Sequence, residues 1–555
     1  MLPALNRTAV VTQGNSTRAK TRIGSGSRYW ILALPVFCAV ALTIQVLMGA
    51  YSADLAGYPD ESAHAVTGIA LEQYLVHGLG QSPVRFLLDY YEHYPKVAIG
   101  HWPPLLYVAE VAAMLPFSPS KAALLGLQAV LAGLLAWIVF RELRRVVGGV
   151  AGAVGAVALL LNPQVRAHTA MTMAEILLTL TMLLATLALA RFAERRSTWD
   201  AVWFALWTAA AVLTKGTGWA MLLAAAFVVV VLREWRLPFS RAALAGGAVL
   251  AALCVPWQLA TLKVASEGWA RPVPGVGFFL EAAPLYLGYL FTVPGIALAV
   301  AGLAGAALTL GAGRSAGRTR AYWAALTGLV VAAWLFHVVV PAGEEPRKLI
   351  IMVPAMMLLA AAGARVVSTW LFTARPEQGA AVLFCGVALA AIGMGLPLET
   401  KPRLGFVAVA AKLDSLMKPG SAALVISDAF GEGALTAELA FRRPMPAVYL
   451  VRGSKLLASQ NWDASRYVDR VHSAEECARV LASVPISVLV VDRRSGVGRE
   501  HYFDYVDAML RNDAAEWTPA NPEQAQQGIF VYVRSAGIEP MRELPEWALP
   551  QMPWK

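Results

Sequence analysis

Long apolar stretches recur through most of the chain, and they constrain its fold more than any other feature. A helix needs about 20 mostly apolar residues to cross the roughly 30 Å of hydrocarbon in a bilayer, where the backbone has to satisfy its own hydrogen bonds. With 58% hydrophobic and 15% charged residues among 555, the chain carries too little polar surface for a soluble protein of its length. It is therefore predicted to be a polytopic all-α membrane protein.

The stretches predict about eleven transmembrane helices, with 12 to 13 as the upper count. Residues 29–50 could also be the apolar region of a cleaved signal peptide, but the run is longer than such regions usually are. The candidate spans are residues 29–50, 121–140, 148–162, 172–191, 199–213, 217–232, 240–262, 285–310, 321–341, 349–372 and 380–397.

Clusters of Lys and Arg between these stretches predict the orientation of the chain. Cytoplasmic loops carry the excess of Lys and Arg, and a cytoplasmic N-terminal tail, residues 1–28, places every cluster on one side. Residues 102–116, which are apolar but short, then lie along the outer interface. The net charge of +10 thus reflects orientation and not a nucleic-acid partner, which would need one basic soluble face. The clusters contain Arg18, Lys20, Arg22 and Arg28, then residues 141–145, 191–196, 233–241 and 314–320, and Arg375.

The composition changes near residue 401 and predicts a second domain. We divide the chain into the tail 1–28, a transmembrane domain 29–400 whose large first outer loop is 51–120, and a domain 401–555. In the last part, short β-rich runs alternate with helical patterns, which is typical of a small α/β domain with a largely parallel sheet. By the parity of the spans this domain is extracytoplasmic, and we interpret it as a lid or an acceptor-binding module.

Unusual polar residues gather on the predicted outer side, beginning with the adjacent acids Asp60 and Glu61 in the first loop. Carboxylates beside a bilayer lose hydration, so a pair placed there indicates a functional site. The many Tyr and Trp residues of the loop argue against disorder. The other candidate site residues, in this loop or at the outer ends of later spans, are His64, His101, Glu175, Lys215, Arg347 and Lys348.

The order of these features resembles the GT-C glycosyltransferases that use polyprenyl-phosphate sugars, in particular the bacterial branch of the dolichyl-phosphate-mannose protein mannosyltransferase (PMT) superfamily. In that family an Asp-Glu pair opens the first outer loop, often with a His three residues later, and Asp60, Glu61 and His64 match this pattern. The resemblance covers residues 50–365 and implies a GT-C-like fold. Its other matching elements are His101-Trp102-Pro103-Pro104-Leu105-Leu106-Tyr107, Thr214-Lys215-Gly216 and Glu344-Glu345-Pro346-Arg347-Lys348.

Two positions depart from the family pattern. Glu175 stands where an Asp is common, which keeps the charge but lengthens the side chain. Trp102 stands where the aminoarabinose-transferring branch typically has a Lys before the Pro-Pro pair, so the resemblance to that branch is weaker.

The resemblance implies an integral membrane glycosyltransferase, a hexosyl- or pentosyltransferase, in a bacterial cytoplasmic membrane. It would transfer a sugar from a polyprenyl-phosphate donor to an acceptor on the extracytoplasmic face, where the acceptor is a protein, a lipid or a polysaccharide. Because an acceptor hydroxyl attacks as the lipid phosphate leaves, the reaction needs a base and positive charge.

Asp60 is the candidate general base, and the alternative is that it caps a helix starting near Ser62. Glu61, the second candidate catalytic residue, would orient Asp60, bind the sugar or help to hold a metal. Positive charge for the phosphate would come from Lys215, Arg347 and Lys348, although an interfacial Lys can also reach lipid headgroups. The remaining candidates for substrate binding are His64, His101 and Glu175.

No cofactor is required by these patterns, and a divalent cation is the one addition that they leave open. The His and Glu residues of the outer loops show no tight ligand spacing. The four cysteines stand apart and match no disulfide framework or zinc pattern.

The competing interpretation is a transporter or flippase of a polyprenyl-linked sugar. Transporters typically carry internal repeats and charged or Gly/Pro-broken segments near the middle of the membrane. The sequence has no clear repeat, and its polar groups stand in loops, which favours the enzyme.

The one-sided basic clusters predict that the N-terminus is cytoplasmic and the C-terminal domain extracytoplasmic. Reporter fusions after Arg145 and after Lys555 test this orientation, with cytoplasmic activity expected at the first junction and extracytoplasmic activity at the second. The reverse result at either junction would overturn the topology.

Overall fold

The computed structural model describes residues 32–267, 274–311, 316–341, 343–459, 467–484, 486–497, 500–520 and 527–537. The predicted cytoplasmic tail 1–28, the start of the first predicted span and Arg314 lie outside these residues. The helices up to residue 395 are α1 Ala33–Leu47, α2 Pro59–His77, α3 Pro83–His93, α4 Leu105–Met114, α5 Lys121–Val147, α6 Gly149–Leu161, α7 Pro163–Thr169, α8 Glu175–Arg195, α9 Thr198–Thr214, α10 Ala220–Leu232, α11 Arg241–Glu267, α12 Val276–Thr292, α13 Ile296–Gly311, α14 Arg320–Val339, α15 Val353–Leu371 and α16 Pro376–Gly395, with 3-10 helices at Gly216–Trp219, Leu237–Phe239 and Pro346–Met352.

Each of the eleven predicted spans is mostly helical. Six of the described helices are long and apolar enough to cross a bilayer, or eight when two bent helix pairs each count as one span. The fold class, a mostly helical polytopic membrane domain, is confirmed. The number of crossings stays a prediction, because α1 and α9 have only 15 and 17 residues.

The predicted span 285–310 is not one straight helix. Here α12 and α13 meet at an angle of 100°. The break contains Pro294, which has no N–H to continue the helical ladder, and Gly295, whose φ of +87° is a left-handed conformation that glycine adopts without strain. The sequence is apolar on both sides of the break, so hydropathy alone did not indicate it.

Helix α8 is the central helix of the membrane domain. Of its 21 residues, 17 are buried, because α5, α9, α10 and α14 all pack against it. By contrast α11 exposes large apolar side chains such as Leu244 and Leu259, as a lipid-facing helix does. The surrounding helices therefore fix the position of both ends of α8.

The C-terminal part forms a small α/β domain, as predicted. The predicted boundary at residue 400 falls in the connection between α16 and the first helix of this domain. Its elements are α17 Phe406–Leu416, β1 Ala422–Ile426, α18 Ala429–Arg442, β2 Tyr449–Arg452, α19 Gly453–Leu456, β3 Ala458–Ser459, β4 Val468–Asp469, α20 Ala474–Ser483, β5 Ile486–Asp492, α21 His501–Asn512, β6 Trp517–Pro519 and β7 Ile529–Arg534.

The prediction of a largely parallel sheet holds for only part of the sheet. Its order is β2-β1-β5-β7-β6, in which β1 pairs parallel with β2 and β5, whereas β7 pairs antiparallel with β5 and β6. The last two strands, β6 and β7, are separated in sequence by only nine residues, 520–528, which are too few for the crossover that a parallel pair needs, and they pair antiparallel.

The first outer loop and the C-terminal domain share one hydrophobic core. Ile69 and Tyr90 of the loop are buried in the same cluster as Phe406 and Leu435 of the domain, and α2 packs against α18. Buried Asp54 also accepts hydrogen bonds from the backbone N–H groups of residues 405 and 407, at 3.1 and 2.9 Å, at the start of α17. The loop and the domain therefore lie on the same side of the membrane.

Close packing of α13 on α15 depends on Gly305. A Cβ added there would overlap the carbonyl oxygen of Leu359, so we expect Gly305→Ala to force the helices apart and to lower stability by about 1–3 kcal/mol. Thermal unfolding in detergent measures this loss. The matched control is Gly386→Ala on α16, which has no neighbour within 4 Å of the added Cβ and should keep the wild-type midpoint. Equal midpoints for both variants would contradict the packing argument.

Candidate active site

Four segments that are far apart in sequence bring charged side chains together at one end of the membrane helices. Asp60 stands in the first turn of α2, Glu175 begins α8, Lys215 follows α9, and Arg347 lies in the 3-10 helix that leads into α15. Acids are favoured at helix N-termini because the helix dipole is positive there. Each of these residues stands at a helix end, where an apolar run gives way to a polar loop.

Arg347 is the centre of this cluster. Its Nη2 donates to Oδ2 of Asp60 at 2.8 Å and its Nε to Oε2 of Glu345 at 2.7 Å, while its Nη1 lies 3.6 Å from Oε1 of Glu175. The guanidinium also lies over the ring of Tyr58, 4.2 Å from its centroid. The Arg347 side chain is only 8% exposed, so these contacts have to offset the loss of its hydration.

The two lysines of the predicted phosphate site are held differently. Lys215 donates from Nζ to the Oε1 atom of Glu175 at 2.7 Å, so that Glu175 faces both Lys215 and Arg347. Lys348 is buried and donates to the backbone carbonyl of Gly343 at 2.7 Å. The structure therefore brings Lys215 and Arg347 onto one acid, whereas Lys348 binds main chain beside them.

The Asp60 carboxylate faces the cluster and does not cap its helix. The N-cap of α2 is Tyr58 and makes no side-chain cap bond, so the alternative of Asp60 as a helix cap is wrong. Asp60 remains 14% exposed, and its Oδ2 is bound to Arg347. Among the described residues, none donates a hydrogen bond to its Oδ1, which leaves that atom open to a substrate.

Glu61 points the other way and belongs to a separate ion pair. Its carboxylate is fully buried, with Oε1 2.6 Å from Nζ of Lys401. Its Oε2 accepts the backbone N–H of Gly57 at 2.8 Å, and the N–H of Thr172 approaches Oε1 at 3.4 Å. In this arrangement Glu61 ties the start of α2 to the connection that enters the C-terminal domain.

Histidine and aromatic rings form a wall next to Asp60. His64, one helical turn after Asp60, has its Nδ1 3.2 Å from the hydroxyl of Tyr107 and its ring 4.9 Å from that of Trp102. Burial lowers the pKa of His64 to about 4, and burial also lowers the pKa of His101 to about 4. The ring of His101 packs edge-on against Trp102. Both imidazoles are therefore neutral at pH 7.

Three residues that build the site were not predicted from the sequence: Tyr58, Lys96 and Lys401. Lys96 is half-buried where the loop meets the C-terminal domain, with Nζ 3.3 Å from the carbonyl oxygen of Ala429. Burial, with the nearby Arg452, lowers its pKa to about 7. Lys96 is the one Lys or Arg between positions 85 and 121, and this isolation was the available signal. Nothing near Lys401 in the sequence points to Glu61.

The described residues do not fit a divalent cation. No group of three His, Cys, Asp or Glu side chains among them could hold a metal ion. Asp60 and Glu175, the two predicted site acids that contact Arg347, already face cationic side chains. We derive no step through a metal.

A family match covers part of the chain. Residues 101–259 match the family described as dolichyl-phosphate-mannose-protein mannosyltransferase. This segment includes His101, Glu175 and Lys215, while Asp60 and Arg347 lie outside it. No curated protein matches the chain.

Solved structures of two membrane proteins share the fold. ArnT from Cupriavidus metallidurans, crystallised with undecaprenyl phosphate, is 15% identical over 95% of this chain and 100% of that one, with a TM-score of 0.54. The Archaeoglobus fulgidus oligosaccharyltransferase tethered to an acceptor peptide is 14% identical over 95% of this chain and 77% of that one, with a TM-score of 0.54. The same archaeal enzyme, AglB, with an inhibitory peptide and dolichol-phosphate gives 14% identity, coverages of 94% and 77%, and a TM-score of 0.51. These matches confirm the GT-C-like fold, and the family match confirms the PMT resemblance for residues 101–259.

The buried Glu61–Lys401 pair predicts a stability effect. Lys401→Met leaves the Glu61 carboxylate unpaired in the interior, which should cost about 3–5 kcal/mol. The double variant with Glu61→Gln removes both charges and should recover part of that loss. Thermal unfolding in detergent gives the three values, with the exposed Lys418→Met as the matched control. A double variant no more stable than Lys401→Met would contradict charge pairing as the cause.

Proposed function

We propose that this chain, a membrane protein of the GT-C fold that matches the dolichyl-phosphate-mannose-protein mannosyltransferase family, transfers a sugar from a polyprenyl-phosphate donor to a hydroxyl of an acceptor. The observation that carries the proposal is the convergence of Asp60, Glu175, Lys215 and Arg347 on one network at the ends of membrane helices. Such a site offers a carboxylate to the acceptor hydroxyl and cationic side chains to the leaving phosphate. The lipid phosphates named for ArnT and AglB support a lipid-linked donor.

Asp60 acts as the general base in this proposal. Its open Oδ1 takes the proton of the acceptor hydroxyl while the hydroxyl oxygen forms a bond to the anomeric carbon. The bond between that carbon and the phosphate oxygen breaks, and its electron pair leaves with the polyprenyl phosphate. Arg347, bound to Oδ2, fixes the direction in which Oδ1 points.

Positive charge for the leaving phosphate comes from Arg347 and Lys215. At rest the guanidinium faces three carboxylates, of which Glu345 is the most exposed, at 37%. We expect the phosphate to replace Glu345 on Nε of Arg347, because that exchange restores the charge balance with the least movement of buried groups. Glu175 then acts as a positioning residue that keeps both cations facing the site.

The wall formed by His64, His101 and Trp102 is suited to binding the sugar. Neutral His64 and His101 can donate and accept hydrogen bonds with hydroxyl groups without adding charge, and Trp102 offers a flat apolar ring beside them. Glu61 has a supporting role in this scheme, because its ion pair holds the start of α2 in place.

The site lies in our predicted topology on the extracytoplasmic face of a bacterial cytoplasmic membrane. The C-terminal domain covers the first loop through their shared core, which supports a role in shaping the acceptor side of the site.

The reaction is tested by incubating the purified full-length protein with labelled polyprenyl-phosphate hexoses and pentoses and with acceptors of the three predicted classes. Release of polyprenyl phosphate together with labelled product is the expected result. If no donor reacts and reconstituted vesicles instead move the labelled lipid across the bilayer, the transporter is the better interpretation.

Asp60→Asn tests the base. Asn keeps the size of the side chain and one oxygen for Arg347 but cannot take a proton, so we expect normal folding and a fall in transfer rate of about 10² to 10⁴. Asp89→Asn, the same change at an exposed position of α3, is the matched control and should leave transfer unchanged. Near-native turnover by Asp60→Asn would assign the base to another residue.

A further inference from the structure

A charged cavity lies at the end of the membrane helices opposite to the candidate active site. It is formed where α5 and α8 end and α14 begins. Helix α8 rises about 1.5 Å per residue, so its 21 residues place this cavity about 30 Å from Glu175, which is the thickness of the hydrocarbon core.

The cavity has a volume of about 350 Å³ and carries an excess of positive charge. Five arginines line it against two glutamates, and Leu187 and Ala190 form an apolar edge. Orientation in the membrane requires basic residues on this face, but it does not require them to converge on one cavity. The arginines are Arg141, Arg145, Arg191, Arg195 and Arg318.

A buried carboxylate organises this group. Glu142 is 3% exposed and accepts hydrogen bonds from Nε of Arg141 at 3.1 Å and Nη1 of Arg145 at 3.0 Å. Nη2 of Arg318 and the hydroxyl of Tyr322 also donate to it. One negative charge thus holds three guanidinium groups in place and neutralises only one of them.

Several of these arginines keep hydrogen-bond donors that Glu142 does not use. Arg195 is exposed and forms no ion pair within the described part of the chain, and Arg191 lies 3.5 Å from its partner Asp200. Nε of Arg318 is buried and has no hydrogen-bond partner there. Guanidinium groups bind phosphate oxygens in pairs of parallel hydrogen bonds, so this arrangement is suited to a phosphate group.

We propose that this cavity binds the phosphate of an anionic lipid headgroup. Its volume exceeds that of a bare phosphate and lies in the range of small-ligand sites, which leaves room for a small polar group beside the phosphate. The position at helix ends and the apolar edge place it where headgroups meet acyl chains, and basic pockets between helices on this face are suited to such lipids. The site is independent of the transfer reaction proposed above. A soluble phosphate ester shares the chemistry, and the experiment separates the two sources.

Native mass spectrometry of the delipidated full-length protein measures lipid binding, with phosphatidylglycerol as the probe and zwitterionic phosphatidylcholine as the comparison. Titration calorimetry with glycerol 1-phosphate measures binding of the soluble phosphate. The test variant is Arg145→Gln/Arg195→Gln, which leaves Arg141 and Arg318 on Glu142. Its matched control is Arg375→Gln, an exposed arginine on the same predicted face outside the cavity.

We expect the wild-type protein to retain phosphatidylglycerol in preference to phosphatidylcholine, and the double variant to bind it at least tenfold more weakly, since each charge-assisted contact is worth roughly tenfold or more. The Arg375→Gln control should match the wild type. Saturable binding of glycerol 1-phosphate alone, lost in the double variant, would keep the phosphate site but identify its ligand as soluble. Equal binding of all probes by the wild type and the double variant would overturn the proposal.

Discussion

The arrangement of the membrane domain around the candidate active site depends on one buried guanidinium. Arg347 has lost most of its hydration, and a charge in that position is tolerated only when acids surround it closely. Those acids come from the first loop, from the start of α8 and from the segment before α15. Satisfying Arg347 therefore positions three otherwise separate parts of the chain, and the same contacts create the geometry that the proposed transfer reaction would use.

The adjacent acids Asp60 and Glu61 show how little separation in sequence is needed to divide two roles. Successive residues of a helix point about 100° apart, so one carboxylate faces Arg347 while the other turns into the interior towards Lys401. The first keeps one oxygen without a hydrogen bond from the described residues, whereas the second accepts hydrogen bonds from Lys401 and from two backbone N–H groups. Two neighbouring acids thus combine the proposed base with a residue that holds its helix in place.

The features that could be predicted from the sequence are those that a single local signal determines. The length of the apolar stretches identified the helical spans. The position of charged residues at the ends of spans identified Asp60, Glu175, Lys215 and Arg347 as candidates. Contacts between residues far apart in the chain could not be predicted in this way. Lys401 is 340 residues from Glu61, and neither position shows any local sign of the other. The 100° bend between α12 and α13 was missed for a different reason, since hydropathy reports solvent preference and carries no information on direction.

The core shared by the first loop and the C-terminal domain also has a consequence for biosynthesis. The loop leaves the ribosome early, but the residues that bury Ile69 and Tyr90 and neutralise Glu61 are made only after the last membrane helix. During most of translation the apolar side chains of the loop therefore lack their packing partners, and the Glu61 carboxylate lacks its ion-pair partner. The C-terminal domain, which is synthesised late, completes the packing of a loop made near the beginning, so a truncated product would insert its helices without completing the first loop.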